Sequence, residues 1–248
     1  MNAASSFDPL ARAYDAFRTG YAAELFDVLF EAGLVAGAQV LDAGCGTGLV
    51  AAELVRRGCR VSGIDISEPM LDRARARVPQ ASFQVARAEA LPFPAAAFDA
   101  ATSAQAFHWF DQPCALAELA RVVRPGGLVA IWWKAMMRGD PVRAARDATV
   151  RELGLEPTPD ILVDGFSTFD AAPLRERRLR VIPWRIETSV ADLLGYERSR
   201  ARARAAYGER LEDYFALLAE RLGDPGTILS IGYVQHLYLG RVPPAPSR

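Results

Sequence analysis

The chain has 248 residues, of which 51% are hydrophobic and 24% are charged, a composition typical of a soluble globular protein. Its 29 basic and 30 acidic residues give a formal net charge of -1, so charge offers no case for nucleic acid or an anionic membrane as partner. Three cysteines and two histidines without metal-ligand spacing disfavour a metal centre, and we expect none.

Hydrophobic spacing predicts a helical segment over residues 1–32, followed by alternating strands and helices. In chain order the predicted elements are strand 38–42, helix 47–57, strand 60–65, helix 68–77, strands 82–86 and 98–103, helix 112–122 and strand 127–133. Strands that alternate with helices indicate βαβ units and a mostly parallel sheet.

Beyond residue 133 the periodicity is looser. The predicted elements there are a helix from Asp140 to about Gly154, a loop over 156–160, a strand at Leu179–Trp184, helices at Val190–Arg204 and Glu209–Leu222, and a last strand at about 228–240. Because residues 134–225 interrupt the order of the sheet, we expect them to form a cap over a substrate pocket.

The most informative segment is Val40–Gly48, in which an apolar strand reaches Asp42 and glycines follow at positions 44, 46 and 48. Glycine tolerates positive φ and has no Cβ, so a ligand can approach the bare backbone, and the helix that follows presents unpaired N–H groups. The dinucleotide fingerprint G-x-G-x-x-G would place its third glycine at Leu49. The turn therefore favours a nucleoside ligand without a pyrophosphate and disfavours an NAD-dependent reductase.

Four segments resemble the motifs of class I S-adenosylmethionine (SAM)-dependent methyltransferases, in the small-molecule branch of the type 11 and trans-aconitate enzymes. They are Val40–Gly48, Val61–Ser67, Ala88–Asp99 and Leu119–Gly127, within about residues 35–133. The resemblance implies an α/β, Rossmann-like fold with a seven-stranded, mostly parallel sheet, helices on both faces and a C-terminal helical cap insertion. It also implies SAM as cofactor, S-adenosylhomocysteine as product and a small molecule as acceptor.

We therefore expect one methyltransferase domain over residues 1–248. Its predicted parts are a helical lid at 1–32, a SAM-binding core at 35–133, a substrate cap at 134–225, and a final strand and tail at 226–248. The N-terminus lacks the apolar core of a secretory signal, and no apolar stretch is long enough to span a bilayer, so we expect a cytoplasmic protein. The oligomeric state is left open.

The predicted cofactor contacts follow from the parts of SAM. Asp42 is expected to reach the ammonium group, and Asp65, which ends the second strand, to accept hydrogen bonds from the ribose diol. Ile66 and Met70 would flank the adenine or else fill the core. The predicted cofactor-binding residues are Tyr14, Arg18, Asp42, Gly44, Cys45, Gly46, Gly48, Asp65, Ile66, Met70, Ala88, Glu89, Ser103 and Gln105.

Two further segments are predicted to lie at the cofactor, namely the one that would contact the adenine and the N-terminal helix. At the adenine edge, Arg87 stands where relatives commonly have an aspartate, so recognition would fall to the Ala88 N–H and the Glu89 side chain. Tyr14, Arg18 and Tyr21 resemble an arrangement in trans-aconitate-type enzymes whose first helix folds over the cofactor. There Arg18 would clamp a carboxylate of SAM or of the substrate.

His108 is the candidate catalytic residue. It lies in Ser103–Phe110, which follows the fourth strand and resembles the Gln-Ala-x-His-Trp-Phe signature of the trans-aconitate-like branch, where the His-Trp pair borders the active site. A carboxylate acceptor needs no base, whereas a phenol, alcohol or ammonium does. His108 is therefore either a general base or only a lining residue, and the aromatic residues Trp109, Phe110, Trp132 and Trp133 suggest an apolar or aromatic acceptor.

The predicted function is methyl transfer from SAM to a small organic acceptor, at an oxygen of a carboxylate or hydroxyl group. One alternative is a protein that binds SAM without transfer and acts as a ligand sensor or partner. Another is a SAM-dependent enzyme with different chemistry, such as cyclisation or decarboxylation.

Overall fold

Seven strands form one sheet in a computed structural model of the chain, which describes residues 20–157, 167–199 and 201–244. The strands are β1 (Gln39–Ala43), β2 (Arg60–Asp65), β3 (Ser82–Val85), β4 (Phe98–Ala104), β5 (Val123–Met136), β6 (Arg175–Ser189) and β7 (Ile228–Arg241). Their order is β3-β2-β1-β4-β5-β7-β6, in which β7 is antiparallel to both neighbours and the other neighbouring pairs are parallel. This confirms the predicted seven-stranded, mostly parallel α/β sheet.

The helices cover both faces of the sheet. They are α1 (Ala23–Glu31), α2 (Leu49–Arg56), α3 (Glu68–Arg77), α4 (Gln112–Val122), α5 (Pro141–Glu152), α6 (Ser167–Ala171), α7 (Val190–Arg198), α8 (Ala201–Tyr207) and α9 (Leu211–Leu222). The first turn of α4 shows why its start was predictable, since Asp111 accepts a hydrogen bond from the Cys114 N–H and Pro113 follows within the turn. Over the described ranges, no helix combines the length and apolar character needed to cross a bilayer.

Two apolar clusters fill the space between the sheet and its helices. On the face that we call the α1 face, Val40 and Trp132 pack with residues of α1 and α2. On the opposite face, the α4 face, Leu41 and Trp133 pack with residues of α4 and α6. Trp132 is 0% and Trp133 2% exposed, so these adjacent tryptophans both fill the core, on opposite sides of the strand.

The structure differs from the predicted elements mainly beyond residue 133. β6 is longer than the predicted strand Leu179–Trp184, because it pairs with β7 along most of its length at the edge of the sheet. The predicted helix Val190–Arg204 is interrupted after Arg198, where the Ser199 hydroxyl donates a hydrogen bond to the Tyr196 carbonyl oxygen at 2.6 Å. Such side-chain bonds compete with the helical pattern.

Residues 134–225 thus contribute the edge strand β6 as well as helices α5–α9. Their role as a cap over substrate stays a prediction. Of the predicted N-terminal helix, Ala23–Glu31 is helical, and residues 1–19 lie outside the described residues. The predicted loop at 156–160 also extends beyond the described part of the chain.

Candidate active site

The order of the strands locates the site. β1 lies between β2 and β4, so the connections from β1 and from β4 run to opposite sides of the sheet. In open α/β sheets a crevice forms at such a switch point, outside the carboxyl ends of the strands. The glycine turn at 44–48, between β1 and α2, lies at this crevice.

The three glycines of the turn have separate structural roles. Gly44, Gly46 and Gly48 have φ angles of 69°, 55° and 80°, which favour glycine. A Cβ at Gly44 would lie 2.5 Å from the Ala106 Cβ, and one at Gly48 would lie 3.1 Å from the Ala74 Cβ. At Gly46 a Cβ would meet no atom of the described ranges within 4 Å, so this backbone is the part of the turn that a ligand can approach.

Hydrogen bonds hold the turn in place from two sides. The N–H groups of Gly44 and Cys45 both donate to the Ile64 carbonyl oxygen, at 2.8 and 2.9 Å. From α3, the Arg77 guanidinium donates to the carbonyl and hydroxyl oxygens of Thr47, at 2.6 and 2.9 Å. A turn held in this way is preorganised, so a ligand does not have to order it on binding.

Asp42 is a buried acid, and one of its two carboxylate oxygens has no hydrogen-bond partner among the described residues. Its side chain is 1% exposed, and Oδ1 accepts a hydrogen bond from the Thr102 hydroxyl at 2.9 Å. Within the described residues Oδ2 has no hydrogen-bond partner. Burial raises the pKa of Asp42 to about 7, and the negative charge of Asp65 adds to this rise while the Thr102 hydrogen bond opposes it. A cationic group at Oδ2 would therefore be strongly favoured.

Asp65 connects the end of β2 to the glycine turn. Its Oδ2 accepts a hydrogen bond from the Gly46 N–H at 2.9 Å, and its Oδ1 accepts one from the Ser67 N–H at 3.0 Å. A carboxylate oxygen can accept more than one hydrogen bond, and a carboxylate at the end of the second strand is the group that accepts from a ribose diol in related folds. The position of Asp65 next to Gly46 places such a carboxylate at the open part of the turn.

The cleft beside the turn suits a positively charged ligand. Asp42 contributes its unused oxygen, and none of the described lining side chains is basic, which disfavours a pyrophosphate. In the described ranges, no group of three His, Cys, Asp or Glu side chains is placed to hold a metal ion. The cleft is lined by Tyr21, Asp42, Gly44, Cys45, Gly46, Thr47, Leu49, Val50 and Ala104.

Comparison with known proteins decides what kind of domain carries this cleft. Residues 41–131 match the methyltransferase domain family. A solved structure from Anaeromyxobacter dehalogenans, provisionally named a type II methyltransferase, is 28% identical, with a TM-score of 0.73 over 93% of this chain and 100% of that chain. Residues 41–131 therefore form a methyltransferase domain.

Curated methyltransferases match part of the sequence. An uncharacterised methyltransferase of Mycobacterium tuberculosis is 40% identical over 149 residues, 60% of this chain and 57% of that protein. The malonyl-[acyl-carrier protein] O-methyltransferase of Salmonella typhimurium is 48% identical over 94 residues, 38% of each chain. The chain thus spans little more than half the length of the one relative and less than half of the other.

The methyltransferase domain brings several predicted cofactor residues together. Asp42, Gly44, Cys45 and Gly46 line the cleft, Gly48 is the N-cap residue of α2, and Asp65 bonds to the turn. Met70 is buried and Ile66 half-buried, and their contact with adenine stays a prediction. Tyr14 and Arg18 lie outside the described residues.

The segment that is predicted to contact the adenine forms polar contacts with neighbouring parts of the chain. Glu89 Oε1 accepts a hydrogen bond from the Asp111 N–H at 2.9 Å, and Glu89 Oε2 lies 3.5 Å from Arg87 Nε. Ala88 is 2% exposed, whereas the Arg87 side chain points largely to solvent. Glu89 thus joins this segment to the start of α4, and its role toward adenine stays a prediction.

Ser103 and Gln105 are placed differently from the residues of the turn. Register pairs Ser103 with Ile131, which puts it on the α4 face, whereas Asp42 pairs with Thr102 on the α1 face. Gln105 follows β4 with a φ of 54°, and its Nε2 donates to the Lys134 carbonyl oxygen at 3.2 Å. The structure therefore separates Ser103 from the sheet face that carries Asp42.

His108 lies in a single turn of 3₁₀ helix at Phe107–Trp109, beyond the carboxyl end of β4. The Trp133 indole N–H donates a hydrogen bond to His108 Nδ1 at 3.1 Å. Because an indole nitrogen only donates, Nδ1 must be the unprotonated nitrogen, and the neutral imidazole then carries its proton on Nε2. This arrangement favours hydrogen-bond donation from Nε2 over abstraction of a proton there.

Some residues of the site were not among the predicted ones. Thr102 bonds to Asp42, Arg77 holds Thr47, and Ala104 lines the cleft. None has a local signal in the sequence, since each acts through a strand register or a helix position that brings it beside the turn. The spacing of Arg77 from the turn, 30 residues, has no meaning outside the folded domain.

Proposed function

We propose that the protein transfers a methyl group from SAM to an oxygen of a small organic acceptor, and that this acceptor is a carboxylate. The observation that carries the proposal is Asp42 Oδ2, which has no hydrogen-bond partner among the described residues and is buried at a cleft whose described lining has no basic side chain. SAM presents an ammonium and a sulfonium, and a half-satisfied buried carboxylate suits such a ligand.

Three residues would hold the cofactor. Asp42 Oδ2 would accept from the ammonium group, which would also keep the Asp42 carboxyl ionised. The backbone at Gly46 would lie against the ligand, because no atom of the described residues lies within 4 Å of the place that a Cβ would take. Asp65 would accept from the ribose diol while it keeps the Gly46 N–H in place.

When bound, SAM supplies a methyl carbon activated by its sulfonium, so that the bond from acceptor oxygen to carbon forms as the carbon–sulfur bond breaks and the electron pair leaves on the sulfur of S-adenosylhomocysteine. The chain's own contribution is position, since the acceptor oxygen must lie in line with the bond that breaks. A carboxylate acceptor brings its own electron pair and needs no proton removed. Oxygen as the acceptor atom also agrees with the name of the Salmonella relative.

The hydrogen bond from Trp133 to His108 supports this choice of acceptor. A base working through Nε2 would need a proton on Nδ1, and the Trp133 N–H occupies Nδ1 as a donor. His108 would then act as a hydrogen-bond donor through Nε2. Loss of a general base would cost about 10²–10⁴ in rate, so the two roles differ measurably.

We expect His108→Gln to keep the methyl-transfer rate within about tenfold of the wild type, because glutamine still donates a hydrogen bond but accepts no proton at neutral pH. His108→Phe, which has no donor, should lose more than His108→Gln. The measurement is the initial rate of S-adenosylhomocysteine formation at saturating SAM. A loss of 10²-fold or more in both variants, on a phenol acceptor, would instead assign the general-base role.

The function itself is tested by calorimetry and by turnover. Titration of the purified protein with SAM or with S-adenosylhomocysteine should produce a heat of binding. Titration with NAD(H) should produce no heat of binding. Turnover to S-adenosylhomocysteine with a panel of carboxylates, phenols and amines separates an enzyme from a SAM-binding protein without transfer. Saturation by NAD(H) without binding of SAM would overturn the proposal.

A further inference from the structure

A row of polar side chains continues from the cofactor cleft along the α1 face of the sheet. Ala104, which lines the cleft, is the register partner of Trp132 on β5, and two residues further along β5 Lys134 is the partner of Gln235 on β7. Because side chains two residues apart on a strand share a face, Trp132, Lys134 and Gln235 lie on the same side. Three side chains with hydrogen-bond donors therefore lie on one face of the sheet, beside the strand end that carries Ala104.

Two of these donors have unmet hydrogen-bonding capacity. Gln235 is 0% exposed, and in the described part of the chain neither Oε1 nor Nε2 has a partner. Trp132 is equally buried, and its Nε1 also lacks a described partner. A buried polar group left unsatisfied is unfavourable, and such groups in native proteins call for an explanation, such as a ligand or an ordered water.

Lys134 adds a positive charge to this row. It is the only lysine in the sequence, and its side chain is largely buried. Its ammonium group donates to the Gly20 carbonyl oxygen at 3.2 Å and lies 5.3–5.9 Å from the centroids of four aromatic rings, at cation–π distance. The rings belong to Tyr21, Trp184, Tyr196 and Tyr233. A cation with apolar walls suits an anion that carries an apolar body.

Trp132, Lys134, Gln235 and the four rings around Lys134, which we call the cluster, lie where the methyl acceptor is expected. Tyr21 lines the cofactor cleft, and its ring lies 5.7 Å from the Trp132 ring in an edge-on contact. On the other side, Tyr196 belongs to α7, within the predicted substrate cap. The cluster thus lies between the cleft and the cap helices, where an acceptor must approach the methyl carbon.

We propose that Trp132, Lys134 and Gln235 form an anion subsite that binds the carboxylate of the methyl acceptor. The inference rests on the proposed methyltransferase function and names its substrate class as an aromatic or apolar carboxylic acid. Gln235 Nε2 and Trp132 Nε1 donate to the carboxylate, and Lys134 provides charge. Gln235 and Trp132 act in recognition and position, and neither takes part in bond breaking.

The test uses the full chain saturated with S-adenosylhomocysteine and three probe acids, namely benzoate, phenylacetate and 3-phenylpropionate, each compared with its primary amide. Binding is followed by isothermal calorimetry and by saturation-transfer NMR. At least one acid is expected to bind roughly tenfold or more tightly than its amide, the difference typical of a hydrogen bond to a charged group. Equal binding of all acids and amides, or binding of none, overturns the subsite.

Gln235→Met separates a binding role from a structural one. The variant is expected to weaken binding of the acid about tenfold, to leave the affinity for S-adenosylhomocysteine unchanged, and to keep or raise the melting temperature, because it removes an unsatisfied buried amide. Gln235→Glu should weaken the acid further through like-charge repulsion. His236→Asn is the matched control, since His236 pairs with Trp133 on the opposite face, and acid binding should not change.

Two results overturn the inference. One is unchanged acid binding in Gln235→Met. The other is a large drop in its melting temperature, which would show that ordered water satisfies the amide as part of the fold. If S-adenosylhomocysteine itself produces no heat with the wild type, the proposed function fails instead, so the two failures are distinguishable.

Discussion

Gly44→Ala is expected to lower the free energy of unfolding by about 2–5 kcal/mol and to abolish binding of SAM. The backbone at Gly44 has a φ of 69°, which costs a residue with a Cβ roughly 1–2 kcal/mol. The new Cβ would lie 2.5 Å from the Ala106 Cβ and 3.0 Å from the Phe110 ring, and overpacking of this kind costs about 1–3 kcal/mol more. Urea unfolding and calorimetry with SAM measure the two effects.

Gly154→Ala is the matched control for backbone strain. Gly154 has a φ of 60° and open space around it, and it lies far along the chain from the glycine turn, so the cost should be about 1–2 kcal/mol with no loss of SAM affinity. Gly46→Ala should lower the affinity for SAM more than the stability, because its Cβ would meet no described atom within 4 Å but would fill the approach to the turn. Equal destabilisation by Gly44→Ala and Gly154→Ala would contradict the packing argument.

The stability of the ligand-free protein is expected to fall as pH rises from about 4 to about 7. Asp42 has an ordinary pKa of 3.8 and, in the folded protein, a pKa of about 7, chiefly because of burial. Between these values the folded state keeps a proton that the unfolded chain has released, so the free energy of unfolding decreases with pH and is level above about 7. A shift of this size corresponds to on the order of 4 kcal/mol, at 1.36 kcal/mol per pH unit.

Affinity for the cofactor should change in the opposite direction. Binding of the ammonium group requires the ionised Asp42, so the affinity for S-adenosylhomocysteine should rise about tenfold per pH unit up to about pH 7 and then level. Asp42→Asn should remove this slope, lower the affinity by roughly 10–100-fold, and remove the loss of stability in the ligand-free protein. Thermal unfolding and calorimetry at pH 5, 6, 7 and 8 measure both trends.

Thr102→Val tests whether the raised pKa of Asp42 causes both pH trends. The Thr102 hydrogen bond lowers the pKa of Asp42, so its removal should move the midpoint of both trends to higher pH. A pH slope that persists in Asp42→Asn would assign the titration to another group. The pH dependence of cofactor binding would then carry no information on Asp42.

Much of the fold could be predicted because its signals are local. The helix at Glu68–Arg77 and the strand at Arg60–Asp65 have the predicted bounds, since hydrophobic spacing and a proline in the first helical turn act within a few residues. The edge strand β6 shows where prediction from local signals fails. Its exposed, arginine-rich first half has no alternation of apolar residues, and pairing with β7 alone extends it to Arg175–Ser189.

The sequence by itself determined the glycine turn, the acids at Asp42 and Asp65, and the α/β class, because backbone freedom and residue chemistry are local properties. Only the tertiary structure decided that Thr102 bonds to Asp42, that Trp133 occupies Nδ1 of His108, and that Gln235 faces Lys134. Each of these contacts joins different strands or a strand and a loop. Strand order and register, which depend on burial of whole faces, decide which side chains meet.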